Sequence, residues 1–196
     1  MNSVVLGLGS NRCFGGLTPM ELLIKAVIQL KQELSDIVVS SVYCTKPMYV
    51  EDQEYFYNMV LIGTIKDNYS PYKLLQHIHE IEASLGRDRS KELRFGPRSI
   101  DIDIEFFGDF EIKTEDLQIP HPRLHERAFV LQPLLEILPE TADILKGEKL
   151  SRIQSDFKGI KSTDVELFMN RTVFLQRLEQ EDHNGNTDRS SDTRSC

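Results

Sequence analysis

Cysteine is scarce: the 196 residues contain only Cys13, Cys44 and Cys196, an odd number, widely spaced and without a C-x-x-C pair. That pattern supports neither a disulfide framework nor a zinc or redox centre, so reduced thiols are expected. Histidine offers no substitute. His77 and His79 are two apart and cannot share a helix face, and Pro122 lies between His121 and His125. No apolar run approaches the ~18 residues of a membrane span, and the N-terminal MNSVVLGLGSN has no basic flank, so a cytoplasmic location is expected. Positive charge is also short, with 23 Lys+Arg against 31 Asp+Glu and a formal charge of -8. Such a chain repels nucleic acid and anionic membrane unless a local basic patch overcomes the net charge. No RNA-recognition aromatic motif, internal repeat or heptad pattern is present.

What the chain does have is ordinary globular composition, 40% hydrophobic and 28% charged, and a length of one domain plus an appendage. Ser3 to Leu8 reads as a buried strand running into a glycine-rich turn at Gly7 to Asn11. Gly7-Leu8-Gly9 is only the start of a dinucleotide fingerprint, because Arg12 holds the third glycine position. Thr18-Pro19-Met20-Glu21 opens a helix with a capping box, and Leu22, Leu23, Ala26, Val27, Leu30 and Leu34 continue at helical spacing. Ile37 to Tyr43 and Phe56 to Ile65 are strand-like. Ser70-Pro71 opens a second helix, which Gly86 closes in the left-handed conformation, and Arg98 to Phe107 is the fourth strand. Strand, helix, strand, strand, helix, strand predicts an α+β fold, a ferredoxin-like βαββαβ sandwich with an antiparallel sheet and a C-terminal extension. The extension comprises a short polar hairpin-like stretch to Leu117, the segment Ile119 to Arg123, and an apolar helix-prone run from Glu126 to Leu138 interrupted by Pro133. The main domain is expected over 1–160, a terminal helix within 161–180 (Val165 to Leu178), and a disordered polar tail over 181–196.

Asp101-Ile102-Asp103-Ile104-Glu105 alternates carboxylate with isoleucine. On a strand this sends the three acids to one face and Ile100, Ile102, Ile104 and Phe106 to the core. Acids at i and i+2 lie ~7 Å apart and repel by about 2.4 kcal/mol at an effective dielectric of 20, so something must compensate them. A solvated strand face is the bland explanation and a magnesium site the functional one. The preceding segment favours magnesium. Arg87, Arg89, Lys91, Arg94 and Arg98 stand against Asp88 and Glu92 in the stretch from Gly86 to Arg98, where Gly86, Gly96 and Pro97 suit a mobile loop folding over a polyphosphate. Phe56, Phe95 and Phe129 read first as core and secondly as a platform for a flat heterocycle.

Gly-Ser-Asn at 9 to 11, Ser-Val-Tyr-Cys-Thr at 41 to 45, Phe-Tyr-Asn at 56 to 58, Gly86-Arg87, Arg94-Phe-Gly-Pro-Arg-Ser-Ile-Asp-Ile-Asp103 and Ile119-Pro-His together resemble the 6-hydroxymethyl-7,8-dihydropterin pyrophosphokinase family. The resemblance covers about residues 3 to 140. It implies a ferredoxin-like fold and transfer of the β,γ-pyrophosphoryl group of ATP to the pterin hydroxymethyl oxygen, with release of AMP, in folate biosynthesis. It further implies two magnesium ions held by Asp101 and Asp103. Arg98, His121 and Arg127 then match phosphate ligands, Glu82 a nucleotide-side position, and Arg87 and Arg89 the catalytic arginine loop. Thr45, Met48, Phe56, Asn58 and Phe129 match the pterin pocket, and Asp103 is one acceptor for the alcohol proton, beside water and phosphate. Glu105 stands where the family is often apolar, so the resemblance carries no metal role onto it. The expected partners are ATP and a reduced pterin, with no nucleic acid or membrane, acting on a monomer. The alternative is a non-catalytic ferredoxin-like module that binds a small ligand or RNA.

Overall fold

The computed structural model describes residues 1–47, 52–91, 96–141, 155 and 165–191. The expected capping box starts the first helix: Glu21 N–H donates to Thr18 Oγ1, Glu21 Oε2 accepts from Thr18 N–H at 2.7 Å, and α1 runs Pro19–Leu30. Ser70 caps α2 (Pro71–Ser84) without a reciprocal partner, its Oγ accepting from Lys73 N–H at 3.1 Å, and Gly86 ends it at φ +89°. A side chain at Gly86 would also meet the ring of Phe14, so both backbone conformation and space require glycine there.

Between and after these helices lie β1 (Asn2–Ser10), β2 (Ser35–Val39), β3 (Val42–Thr45), β4 (Phe56–Ile65) and β5 (Asp101–Phe107). β1 is central and antiparallel to both β4 and β5. β2 and β3 lie end to end along the other side of β4, so the strand expected over 37–43 is broken at Ser40-Ser41. The break leaves β4 satisfied, because Val60 N–H donates to Ser40 Oγ and Val60 C=O accepts from Ser40 N–H, each at 2.9 Å. The order β5-β1-β4-(β2/β3) is that of the expected ferredoxin-like sheet. Ile112–Lys113 and Gln118–Ile119 form the small hairpin β6-β7.

α1 and α2 cover one face of the sheet, over Val4, Leu6, Leu8, Ile100, Ile102 and Ile104. The other face carries α3 (Ala128–Ile137), over Val5, Val60, Ile62 and Phe106, which completes three layers. Pro133 does not interrupt α3, since the buried Leu131, Leu134 and Ile137 on either side hold the helix through the one missing hydrogen bond. Phe106 departs from its expected side. The register slips between Val5 and Leu6 of β1, leaving Glu105 unpaired in a bulge, so Phe106 faces α3 and Phe107 takes the place on the α1/α2 face.

The C-terminal region differs from the expected helix over 165–178. Val165–Met169 forms strand β8, paired with β3, and only from Arg171 does helix α4 run, continuing to Ser191. The open edge of β3 offers backbone hydrogen bonds that the helical pattern of Val165 to Met169 cannot match. Asn170 then caps α4 through Val173 N–H. The polar stretch beyond 180, expected to be disordered, is helical as far as Ser191. Its first turn is tied to α1 by Lys31–Asp182 and Lys25–Glu181 pairs; residues 192–196 lie outside the described residues. Cys13 and Cys44 are free thiols. Among the described residues no helix is long and apolar enough to cross a membrane.

Candidate active site

On the α3 side the sheet opens into a cleft of about 270 Å³. Its floor is β1, and here Gly7 and Gly9 do not form the expected turn: both lie within the strand, opposite Asp103 and Asp101. A Cβ at Gly9 would approach Asn58 Oδ1 to 2.8 Å, and one at Gly7 would approach Glu105 Oε1 to 3.0 Å. The two glycines keep the floor low enough for a ligand.

One half of the cleft is aromatic and amide-bearing. Thr45 on β3 and Asn58 on β4 are buried diagonal neighbours, with Thr45 opposite Phe56 and Asn58 opposite Tyr43, and Asn58 Nδ2 donates to Thr45 Oγ1 at 2.8 Å. Phe56 at the start of β4 and Phe129 in the first turn of α3 line the same space. Met48 lies outside the described residues, as do Arg94 and Phe95.

The other half is ionic. Arg87 donates through Nη1 to Glu82 Oε1 at 2.5 Å and to Asp101 Oδ1 at 2.6 Å. Arg98 donates to Asp101 Oδ2 at 2.8 Å, and Arg89 to Glu82 Oε2 at 2.5 Å. Arg127, at the N-terminal cap of α3, donates through one nitrogen to Asp103 Oδ2 at 2.6 Å and Glu105 Oε1 at 3.2 Å. The charge on Asp101 and Asp103 is therefore compensated by arginine, where the sequence argument called for a metal. Glu82 does not line the cleft. It is 1% exposed and stands behind Arg87 and Arg89, accepting also from Ile102 N–H, and so holds the start of the arginine loop against β5.

Burial and charge divide these groups. Burial pushes the Asp103 carboxyl up, but the charge of Arg127, then that of His121, outweighs it and holds the group below the usual carboxylate range. Glu105 is fully buried. Desolvation drives it upward despite Arg127, and Asp103 adds to the rise; its Oε2 has no hydrogen-bond partner among the described residues. His121 is pushed down to about 4, first by burial and then by Arg127. The ring is neutral at physiological pH, with Nδ1 accepting from Arg123 N–H at 3.2 Å and the backbone N–H bound to Glu105 C=O at 3.1 Å.

Of the described residues that the resemblance matched to the site, all but Glu82 line this one cleft, while Lys91 of the basic loop does not. Sequence reasoning missed Gln53 and Arg123, which also line it. Arg123 had a signal in the Pro-His-Pro-Arg run; Gln53 had none.

Comparison with known proteins matches residues 5–139 to the family model described as 7,8-dihydro-6-hydroxymethylpterin-pyrophosphokinase (HPPK). The chain is 36% identical over 165 residues to the 2-amino-4-hydroxy-6-hydroxymethyldihydropteridine pyrophosphokinase of Bacillus subtilis (strain 168), covering 82% of this chain and 90% of that protein. It is 40% identical over 139 residues to the protein of the same name from Aquifex aeolicus (strain VF5), covering 71% and 82%. Among solved structures, wild-type Plasmodium falciparum HPPK-DHPS with SDX-DHP shares the fold, with a TM-score of 0.55 and 19% identity over 81% of this chain. This chain spans 43% of that longer protein. A match that takes in the cleft and the strands beneath it, at such identity over most of the length, leaves one conclusion: the chain belongs to the 7,8-dihydro-6-hydroxymethylpterin pyrophosphokinase family.

Proposed function

We propose that the cleft carries out the family's transfer of pyrophosphate from ATP to the hydroxymethyl group of 6-hydroxymethyl-7,8-dihydropterin, with the pterin in the aromatic half and the triphosphate in the ionic half. The activity itself, an ATP-dependent pyrophosphokinase reaction of folate biosynthesis, follows from family membership. The observation that carries the division of the cleft is the placement of Phe56, Phe129 and the Asn58–Thr45 pair beside four arginines already held on carboxylates. Phe56 and Phe129 would flank the flat ring, and Asn58 would read its polar edge. Attack on the β-phosphorus then requires little covalent help, because alignment and charge stabilisation supply most of the acceleration in phosphoryl transfer.

Magnesium fits the donor set. Asp101 and Asp103 present hard oxygens from alternate positions of one strand, a quarter and a third exposed, and among the described residues no cluster of three or more ligating side chains occurs. Magnesium takes one or two carboxylates and completes its shell with water and phosphate oxygens. When bound, it offsets phosphate charge and orients the reacting groups. Binding would then exchange partners: the arginines pass from Asp101 and Asp103 to phosphate oxygens, where their planar forks match. Arg87, Arg89, Arg98 and Arg127 serve as that phosphate grip, with neutral His121 as a hydrogen-bonding partner and Glu82 as the anchor of the loop. A carboxylate held as low as Asp103 is a weak base, so its role is that of a ligand, and the alcohol proton passes to phosphate or water.

The test is product identity. With Mg-ATP and the pterin, the chain should release AMP stoichiometrically with the pyrophosphorylated pterin. ADP would indicate a simple kinase, and neither product would indicate a binding module.

A further inference from the structure

Asn11 follows the last residue of β1, is 5% exposed, and has no part in the chemistry described above. Its side-chain amide is fully used. Nδ2 donates to Gln53 Oε1 at 3.2 Å and to Glu54 C=O at 3.1 Å, while Oδ1 accepts from Arg98 N–H at 2.8 Å. The Asn11 and Arg12 N–H groups both donate to Arg98 C=O, at 3.1 and 3.2 Å. Both main-chain polar groups of Arg98 therefore end on Asn11, and Ser10 Oγ extends the seam by donating to Ser99 C=O at 2.5 Å.

The two segments gripped by this amide come from opposite halves of the cleft. Gln53 lines the cleft, and Glu54 precedes Phe56 by two residues and Asn58 by four. Arg98 precedes Asp101 by three and donates to it. We infer that Asn11 is a positioning residue that couples pterin binding to nucleotide binding, by joining the 53–54 segment to Arg98 through one buried carboxamide. The inference rests on the division of the cleft proposed above.

The residue type is specific to the task. A carboxamide has an acceptor at one end and two donor protons at the other, so a single side chain serves a backbone N–H on one side and two oxygens on the other. Aspartate retains the acceptor arm toward Arg98 and loses both donors; alanine loses both arms. Buried hydrogen bonds of this kind are costly to leave unmade. A nucleotide that orders Arg98 therefore also orders the amide, and with it the segment leading to Phe56. The pterin then meets a wall whose ordering cost the nucleotide has already met, which is positive coupling between two sites.

The experiment titrates the full chain calorimetrically with 6-hydroxymethyl-7,8-dihydropterin, with and without saturating magnesium and α,β-methylene-ATP. The readout is the ratio of the two pterin dissociation constants. The wild-type ratio should be roughly fivefold or more. In Asn11→Asp it should fall to within about twofold of unity while affinity for the Mg-nucleotide stays within about threefold of wild type, because the Arg98 arm survives. Asn11→Ala should lose the coupling and weaken the Mg-nucleotide by roughly tenfold as well. Gln53→Ala removes one arm from the far end and should reduce the ratio even if the Asn11 variants fold poorly, which thermal melting reveals. A wild-type ratio of one, or an Asn11→Asp ratio equal to wild type, overturns the inference. If AMP release by the wild type is intact in that case, the division of the cleft stands and only the coupling role falls; if wild type releases no AMP, both fall.

Discussion

Along β1 the side chains of Val4, Leu6 and Leu8 point toward α1 and α2, while Val5, Gly7 and Gly9 face α3 and the cleft. β5 repeats the division, with Ile102 and Ile104 on the first face and Asp101, Asp103 and Glu105 on the second. The period of two lets one strand supply packing on one side and chemistry on the other. The two sides differ in what they tolerate. The first is close-packed and apolar, so volume decides the outcome; the second holds charges paired across the cleft, so geometry and charge decide it.

A core-face change should therefore cost stability and spare turnover. Leu6→Ala, at a fully buried position, should lose about 2–5 kcal/mol, or roughly 5–15 °C in melting temperature. AMP release per folded molecule, measured well below the melt, should stay near wild type. The converse holds one strand away. Arg98→Ala should lower turnover on the order of 10²–10³-fold, the effect of deleting a preorganised transition-state donor, and Arg98→Lys should rescue only in part. Asp101 keeps Arg87 in either variant, so melting should move by only a few degrees. If Arg98→Ala melts as low as Leu6→Ala, the cleft face is a structural face too and the contrast breaks.

What the sequence made legible was whatever rests on neighbours in the chain. The capping box at Thr18 and Glu21, Ser70 before Pro71, and the left-handed Gly86 each involve residues within a few positions, and each stands as expected. The alternation from Asp101 to Glu105 located the ionic half, and the resemblance added Arg127 and the pterin side, which no local pattern marks. Features set by distant partners were not legible. The break at Ser40-Ser41 depends on Val60 and on Glu136, which accepts from Ser41 and Tyr43. The bulge at Glu105 depends on pairing with β1, and β8 on the free edge of β3. Gly7 and Gly9 read as a turn because the groups they make room for, Asn58 and Glu105, lie some 50 and 98 residues away. A pair of carboxylates likewise reads as a repulsion until the arginines that neutralise it are in place.

That last point sharpens the comparison through Asp103→Asn. Repulsion between neighbouring acids would make the variant at least as stable as wild type without ligand. The 2.6 Å contact to Arg127 reverses the sign. The carboxyl is held below its unfolded value, so its contribution is present above the unfolded pKa of about 3.9 and is lost as pH falls through the folded value. Near pH 7 the asparagine variant should be less stable by roughly 1 kcal/mol, a figure kept small because the side chain is a third exposed. The gap should close as pH falls through that folded value and widen when Mg-ATP is added, since the variant gains less from a ligand it holds poorly. Equal melting temperatures at pH 7 would show that the Arg127 pair contributes nothing net.

The smallest expected effect tests whether the buried end of the cleft behaves as core or as site. Glu105 is raised above its ordinary value by burial, the opposite direction from Asp103. Between pH 4.5 and the folded value the native state holds a proton that the unfolded chain has released, so wild-type stability falls as pH rises through that window. Glu105→Gln cannot titrate, keeps a carbonyl oxygen for Arg127, and places its amide nitrogen where Oε2 already lacks a partner. Arg127 meanwhile retains the shorter contact to Asp103. Wild type and variant should melt together near pH 5, and by pH 8 the variant should be ahead by about 1 kcal/mol or less, because Arg127 beside the ionised carboxylate offsets most, though not all, of its desolvation cost. Melting curves across that range decide it. A wild type that gains on the variant as pH rises would mean that the Arg127–Glu105 pair stabilises the fold as an ion pair, and that the floor of the cleft is held by charge as firmly as the opposite face is held by packing.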